Sequence, residues 1–283
     1  NPIDLLCGGM SMALGYKHNA DTFLQLFYKL KKQPQMDEPT LLAYAIGLCG
    51  FFNEKYRQQW MHSVKYQTLA WRYDALSPKL KNQTIPLNLE RTRPANHPIR
   101  RLACLVKMMF DPCIGNLYEA LGTVWSKYFS SDIKKSGATL RTEFMETFPS
   151  YHDIYWEHHY IFEKEDKKAS ISMIGDDLKR ETFINAYLPL LFNDIKERGD
   201  VLEKETFLNF YSTLPASNTR KGKYLMHRFF GDTQKRKILD KADMQQGAYQ
   251  LHRDFCIHYE ASCIGCPFVE RYQVVFGNEA HLM

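Results

Sequence analysis

Apolar residues recur every three or four positions along most of this chain, and that spacing admits few architectures other than packed α-helices. After Asn19 and Asp21, either of which can cap a helix, Phe23, Leu24, Phe27 and Leu30 form one stripe in a segment ending near Lys31. Thr40 to Phe52 is a short, almost continuous apolar run, read as a buried helix, and Glu54 to Leu76 spaces Trp60, Met61, Val64 and Trp71 as a single helix would. Further helical patterns cover 99–110, 114–129, 177–198, 203–214, 221–230 and 233–256. One stretch breaks the pattern. Tyr155 to Phe162 is rich in Tyr, Trp, Ile and Phe; a polar run of six residues follows, and then Ile171 to Ile174, which together predict two strands and a turn. The expected fold is therefore mainly α, an irregular helical bundle with one small β-hairpin near 154–175. It is one helical unit, or two subregions, 1–77 and 99–283, joined by a loop at 78–98 that holds Pro78, Pro86, Pro94 and Pro98.

Composition narrows the class. With 45% hydrophobic and 24% charged residues, the 283-residue chain is neither disordered nor collagen-like. Its longest apolar runs stop well short of the ~18–20 residues of a bilayer span, so no membrane partner is expected. The segment from Asn1 to Tyr16 lacks a basic leader, and a start at Asn1 suggests a fragment or a processed product. Seven cysteines are an odd number in a chain too long to need disulfide staples, which points to free thiols and a cytoplasmic setting.

Three of those cysteines stand close together: Cys256, Cys263 and Cys266. The Ile264-Gly265 turn between the last two aims both sulfurs one way, as two ligands of one ion require. The spacing is similar to the iron–sulfur loop of endonuclease-III-type DNA glycosylases, but Tyr272 stands where a fourth cysteine belongs, which counts against such a cluster. Zinc held by the three thiolates and His252, one helical turn before Cys256, is the metal reading. His258, Cys7, Cys49, Cys104 and Cys113 are alternative fourth ligands. Packing of unlinked thiols as small apolar residues is the competing account.

Two basic features complete the inventory. Arg91, Arg93, Arg100 and Arg101 lie within eleven residues that contain no acid, and Asn96 and Pro98 suit the start of a helix there, a ready anion site. Alternatively, Arg93 or Arg101 ties the loop to a carboxylate elsewhere. From Arg220 to Lys241 there are eight Lys or Arg against two Asp, a local excess larger than the net +5 of the whole chain. Lys221, Lys223, Arg228, Lys235, Arg236 and Lys237 are candidates to contact a nucleic-acid backbone, with Arg93, Arg100 and Arg101 as further anion ligands. A solvated helix face is the competing account. Asn185, which with Pro189 interrupts the apolar run from Ile184 to Phe192, and His159, with Glu157 and His158 beside it, mark polar spots in apolar company. With Asn96 they outline a candidate polar pocket.

Taken in order, several motifs resemble one bacterial family, known as domain of unknown function 2851. They are Leu14-Gly-Tyr16 with Asn19 and Phe23, Gly47-Leu-Cys-Gly50, Arg93-Pro-Ala-Asn-His-Pro98 with Arg101-Leu-Ala103, Tyr155-Trp156 with His159-Tyr160, Asn185 with Pro189, Gln246-Gly247, and the cysteine loop. The resemblance implies a further N-terminal region, with a Gly-Pro-Asp-Phe element and a Glu-x-His element faintly similar to nuclease cores, as a partner of this helical part. No catalytic constellation is evident within the chain itself. The leading expectation is a metal-stabilised helical accessory module whose basic face contacts nucleic acid. A protein-interaction scaffold is one alternative, and a small-molecule enzyme with a pocket near Arg93, Arg101, His159 and Asn185 is another.

Overall fold

A computed structural model describes residues 1–90, 92–130, 136–162, 170–231, 238–258 and 262–276. The chain divides into two compact units, Asn1–Arg198 and Gly199–Met283. Among the described residues no helix is long and apolar enough to cross a membrane.

Unit 1 begins with α1 (Pro2–Leu30), which starts much earlier than the cap at Asn19 or Asp21 would have it. Pro2 suits the first turn, and the Asn1 side chain accepts from the amide of Ile3 at 3.1 Å. The helix bends sharply at Tyr16, whose φ of 50° and ψ of −162° are far from helical. Gly15 permits that bend, because a Cβ there would sit 2.8 Å from the backbone of Ala20. Beyond it, Phe23, Phe27 and Leu30 of the expected stripe are buried, Leu24 is half-buried, and Leu26 is buried in its stead.

Helix α2 (Glu38–Leu48), capped by Asp37, is buried without a break from Leu41 to Leu48 and packs against α4 (Val64–Asp74) and α5 (Pro98–Phe110). The expected single helix over 54–76 is two pieces, α3 (Glu54–Gln59) and α4, each with its own N-cap, Asn53 and Ser63. Trp60 is buried at the break, while Met61, Val64 and Trp71 are exposed. The loop at 78–98 lies inside this unit. Ile85 is buried with its amide on the Leu48 carbonyl at 2.7 Å, and Asn88 exchanges two hydrogen bonds with the Asn19 side chain.

Next come α6 (Leu117–Phe129) and α7 (Gly137–Thr147). The expected hairpin is not formed among the described residues. Asp153 instead accepts from the amides of Tyr155 and Trp156, starting the short helix α8 (Ile154–His158). That cap outweighs the β-propensity of the aromatic residues, which pack inward: Trp156 and Phe162 are fully buried, with Phe162 against Trp60 and Tyr66. Among the described residues one backbone bond, from the Ile171 amide to the Glu157 carbonyl, joins the two expected strands, and the expected turn at 163–168 falls outside the described residues. Then α9 (Asp176–Thr182) runs through a π-helical turn at Phe183–Tyr187 into α10 (Leu188–Arg198). Pro189 has no amide to give the Asn185 carbonyl and would crowd it, so the helix widens there.

Unit 2 holds α11 (Val201–Thr213), α12 (Arg220–Phe230), α13 (Ala242–Asp254) and α14 (Pro267–Phe276), with a 3-10 turn at Cys256–His258. Its core gathers Phe207, Phe210, Leu214, Leu225 and Ala248, and an isolated antiparallel bridge links Pro215 to Lys241.

Candidate functional site

Two sequence-distant segments of unit 1 meet at one cavity of about 220 Å3: the bend of α1, and the loop at 92–96 running into the first residue of α5. Tyr16, His18, Asn19, Arg93, Asn96 and Pro98 are among its lining residues. The 13-residue α5 therefore places its first residue, Pro98, at the positive end of the helix dipole, in the cavity wall. His97 caps it. Burial pulls the His97 pKa from 6.5 down to about 4, so the ring is neutral and Nδ1 accepts from the amide of Ile99 at 3.3 Å.

The next two side chains are cations. Arg100 is 1% exposed and Arg101 5% exposed. Arg100 donates through Nε to the Trp156 carbonyl, through Nη1 to that of Ala95, and through Nη2 to those of Ile171 and Ser172, at 2.7–3.1 Å. Arg101 donates through Nη1 to the Met173 carbonyl, and through Nη2 to the Tyr16 hydroxyl at 2.9 Å and Asn96 Oδ1 at 2.6 Å. Its Nε is buried without a partner among the described residues. The two guanidiniums thus lash the 95–96 loop to the segments at 156 and 171–173, using neutral oxygens alone. Among the described residues no carboxylate pairs with either one. Burial, and then the neighbouring charge of Arg101, push the Arg100 pKa below its usual value.

Tyr16 completes the wall. It donates to Asn96 Oδ1 at 3.0 Å, and the Arg101 guanidinium lies 5.2 Å from its ring centre. A non-glycine residue at φ 50° holds backbone strain, of a kind concentrated at ligand clamps and switches. With Asn96 Oδ1 occupied twice, its Nδ2 is left as an uncommitted donor among the described residues, and the exposed Arg93 side chain is likewise uncommitted.

The other candidate residues lie elsewhere. His159 stacks flat on Tyr155, centroids 4.0 Å apart, beside an open cleft of about 650 Å3 that Lys65, Lys107, His152 and Asp153 also line. Lys107 is held there by Glu38 at 2.7 Å. Asn185 is exposed rather than in a polar spot of the core, because the widened turn swings it outward to donate to Glu181 at 2.8 Å. Asn96, His159 and Asn185 therefore do not form one pocket.

In unit 2, Cys256 and Cys266 are buried and Cys263 is exposed. The Arg228 guanidinium hydrogen-bonds the Cys256 thiol, lowering its pKa, while burial raises it by more. Among the described residues no group of three or more His, Cys, Asp or Glu gathers as a metal ion would need, the set of His252, Cys256, Cys263 and Cys266 included. On α12, Lys221 lies 4.9 Å from the Tyr249 ring centre, Arg228 is tied to Tyr224 and Cys256, and Lys223 borders a cavity of about 310 Å3 at the helix start. Arg91, Lys235, Arg236 and Lys237 lie outside the described residues.

The fold and this wall define a mainly helical protein whose larger unit holds a cavity lined in part by Arg93, with Tyr16 and Asn96 linking its wall to the buried Arg101. By family, the chain belongs to the one described as Protein of unknown function (DUF2851), whose model matches residues 4–220. No curated protein and no solved structure matches it.

Sequence reasoning marked Arg93, Asn96, Arg100 and Arg101 but passed over Tyr16 and His18 as site residues. The Gly15-Tyr16 interruption of a helical pattern was the signal that could have found them.

Proposed function

We propose that this protein binds a small anion, carrying a carboxylate or phosphate group, in the cavity between the bend of α1 and the start of α5. The observation that carries the reading is the pair of buried, adjacent guanidiniums with no carboxylate paired to them among the described residues. Each factor around them is unfavourable to positive charge: burial, a like-charged neighbour, and the positive end of a helix. An anion in the cavity, whose lining residues Tyr16 and Asn96 are bonded to Arg101, would offset that charge. Arg93 and the free Asn96 amide supply donors to it, while Leu14, Phe23 and Pro98 give it an apolar wall. The volume suits a ligand of a few heavy atoms rather than a dinucleotide.

Calorimetry and thermal shift on the full chain, with inorganic phosphate, sulfate and short mono- and dicarboxylates, test this. At least one anion is expected to raise Tm and to bind more weakly as salt rises. Arg93→Ala is expected to weaken that binding about tenfold or more while leaving the unliganded Tm unchanged, and Asn96→Asp to weaken it further by adding a like charge. Full affinity in Arg93→Ala, or no response to any anion, sinks the reading.

A further inference from the structure

The cysteine turn belongs to unit 2 and has chemistry of its own. The amide of Cys266 donates to the Cys263 carbonyl at 3.2 Å, closing a four-residue turn. Gly265 occupies its third position at φ 75°, and Ile264 has a negative φ, the pattern of a type II turn. Such turns bring their end residues within about 7 Å, and disulfides span Cα separations of about 4.4–6.8 Å. The two thiols differ in access. Cys263 faces solvent beside an Ile264 that is 87% exposed, whereas Cys266 is 3% exposed and leads directly into α14. An accessible thiol next to a sheltered one, on a turn of disulfide span, is the arrangement of an attacking and a resolving cysteine. Cys256, the third thiol, is buried and held by Arg228.

We propose that Cys263 and Cys266 form a reversible dithiol–disulfide pair that exchanges with small disulfide compounds. The Cys263 thiolate, having lost its proton to solvent, attacks one sulfur of a compound such as glutathione disulfide. The compound's S–S bond breaks, and one glutathione leaves as thiolate and takes up a proton. Cys266, deprotonated in turn, attacks the Cys263 sulfur of the mixed disulfide, and the second glutathione departs as a thiol. Two protein thiols are oxidised by two electrons to one disulfide, and one glutathione disulfide is reduced to two glutathiones.

The test is peptide mass mapping of the reduced full chain after exposure to glutathione disulfide and alkylation. The expected product carries a Cys263–Cys266 disulfide, reversed by dithiothreitol, with Cys256 alkylated only after unfolding. Cys266→Ser is expected to stop at a glutathione adduct on Cys263. Cys263→Ser, a change at an exposed position, is expected to react about tenfold more slowly or worse. A stable Cys263 adduct in the unaltered chain overturns the proposal. So does an absence of reaction, or a metal that must be chelated from these thiols before any reaction occurs.

Discussion

Two regions of this molecule are rich in positive side chains, and they handle the charge in opposite ways. At the start of α5, Arg100 and Arg101 are buried and donate to carbonyls, a hydroxyl and an amide oxygen, with Arg101 Nε left over and no carboxylate paired with either among the described residues. On α12, Lys221 and Lys223 stay exposed. Counting charges along the sequence makes the second region look the more unusual. Burial reverses the order, because a solvated lysine costs little and a desolvated guanidinium requires a structure built around it.

The largest expected effect falls on Arg100. Arg100→Met strips donors from four backbone carbonyls and should lower stability in urea denaturation by about 3 kcal/mol, net of the relief of repulsion with Arg101. A loss no larger than that of Lys223→Ala would erase the contrast between the regions. Next comes pH. His97 titrates near 4 when folded and near 6.5 when free, so between those values the unfolded chain binds more protons. Stability should therefore fall as pH drops through that window, by up to about 1.4 kcal/mol per pH unit. His97→Asn keeps a capping acceptor and should flatten the slope; an unchanged pH profile would remove His97 from the account. Tyr16→Phe should cost about 1 kcal/mol, since Arg101 keeps Asn96 and Met173 as acceptors. The smallest effect is that of Lys223→Ala, expected within about 0.5 kcal/mol of the unaltered chain.

Much of the helical scaffold was legible from the chain. The buried run of α2 and the stripe at Phe23, Phe27 and Leu30 needed only spacing and composition. What escaped was decided by single polar side chains. Ser63 starts a new helix where apolar spacing alone implied continuity, and Asp153 turns a strand-like aromatic run into a helical turn. The cavity was legible only in part. The arginine-rich loop announced itself, but its wall needs Tyr16, separated from Asn96 by 80 residues, and no local pattern encodes that meeting. Asn185 misled for the reverse reason: apolar neighbours in sequence do not bury a residue that a widened turn carries outward.

The link between Asn19 and Asn88 has a consequence for the molecule's ageing. Nδ2 of Asn19 donates to the Asn88 carbonyl at 2.9 Å, and its Oδ1 accepts the Asn88 amide at 2.7 Å, so one side chain imitates a rung of backbone pairing. Hydrolysis of that side-chain amide to a carboxylate would set two oxygens face to face and push the 78–98 segment off the helix that anchors it. Protease sensitivity of that segment in Asn19→Asp, compared with Asn19→Gln, measures the effect. Loss of one ammonia molecule would thus loosen one wall of the cavity without cutting the chain.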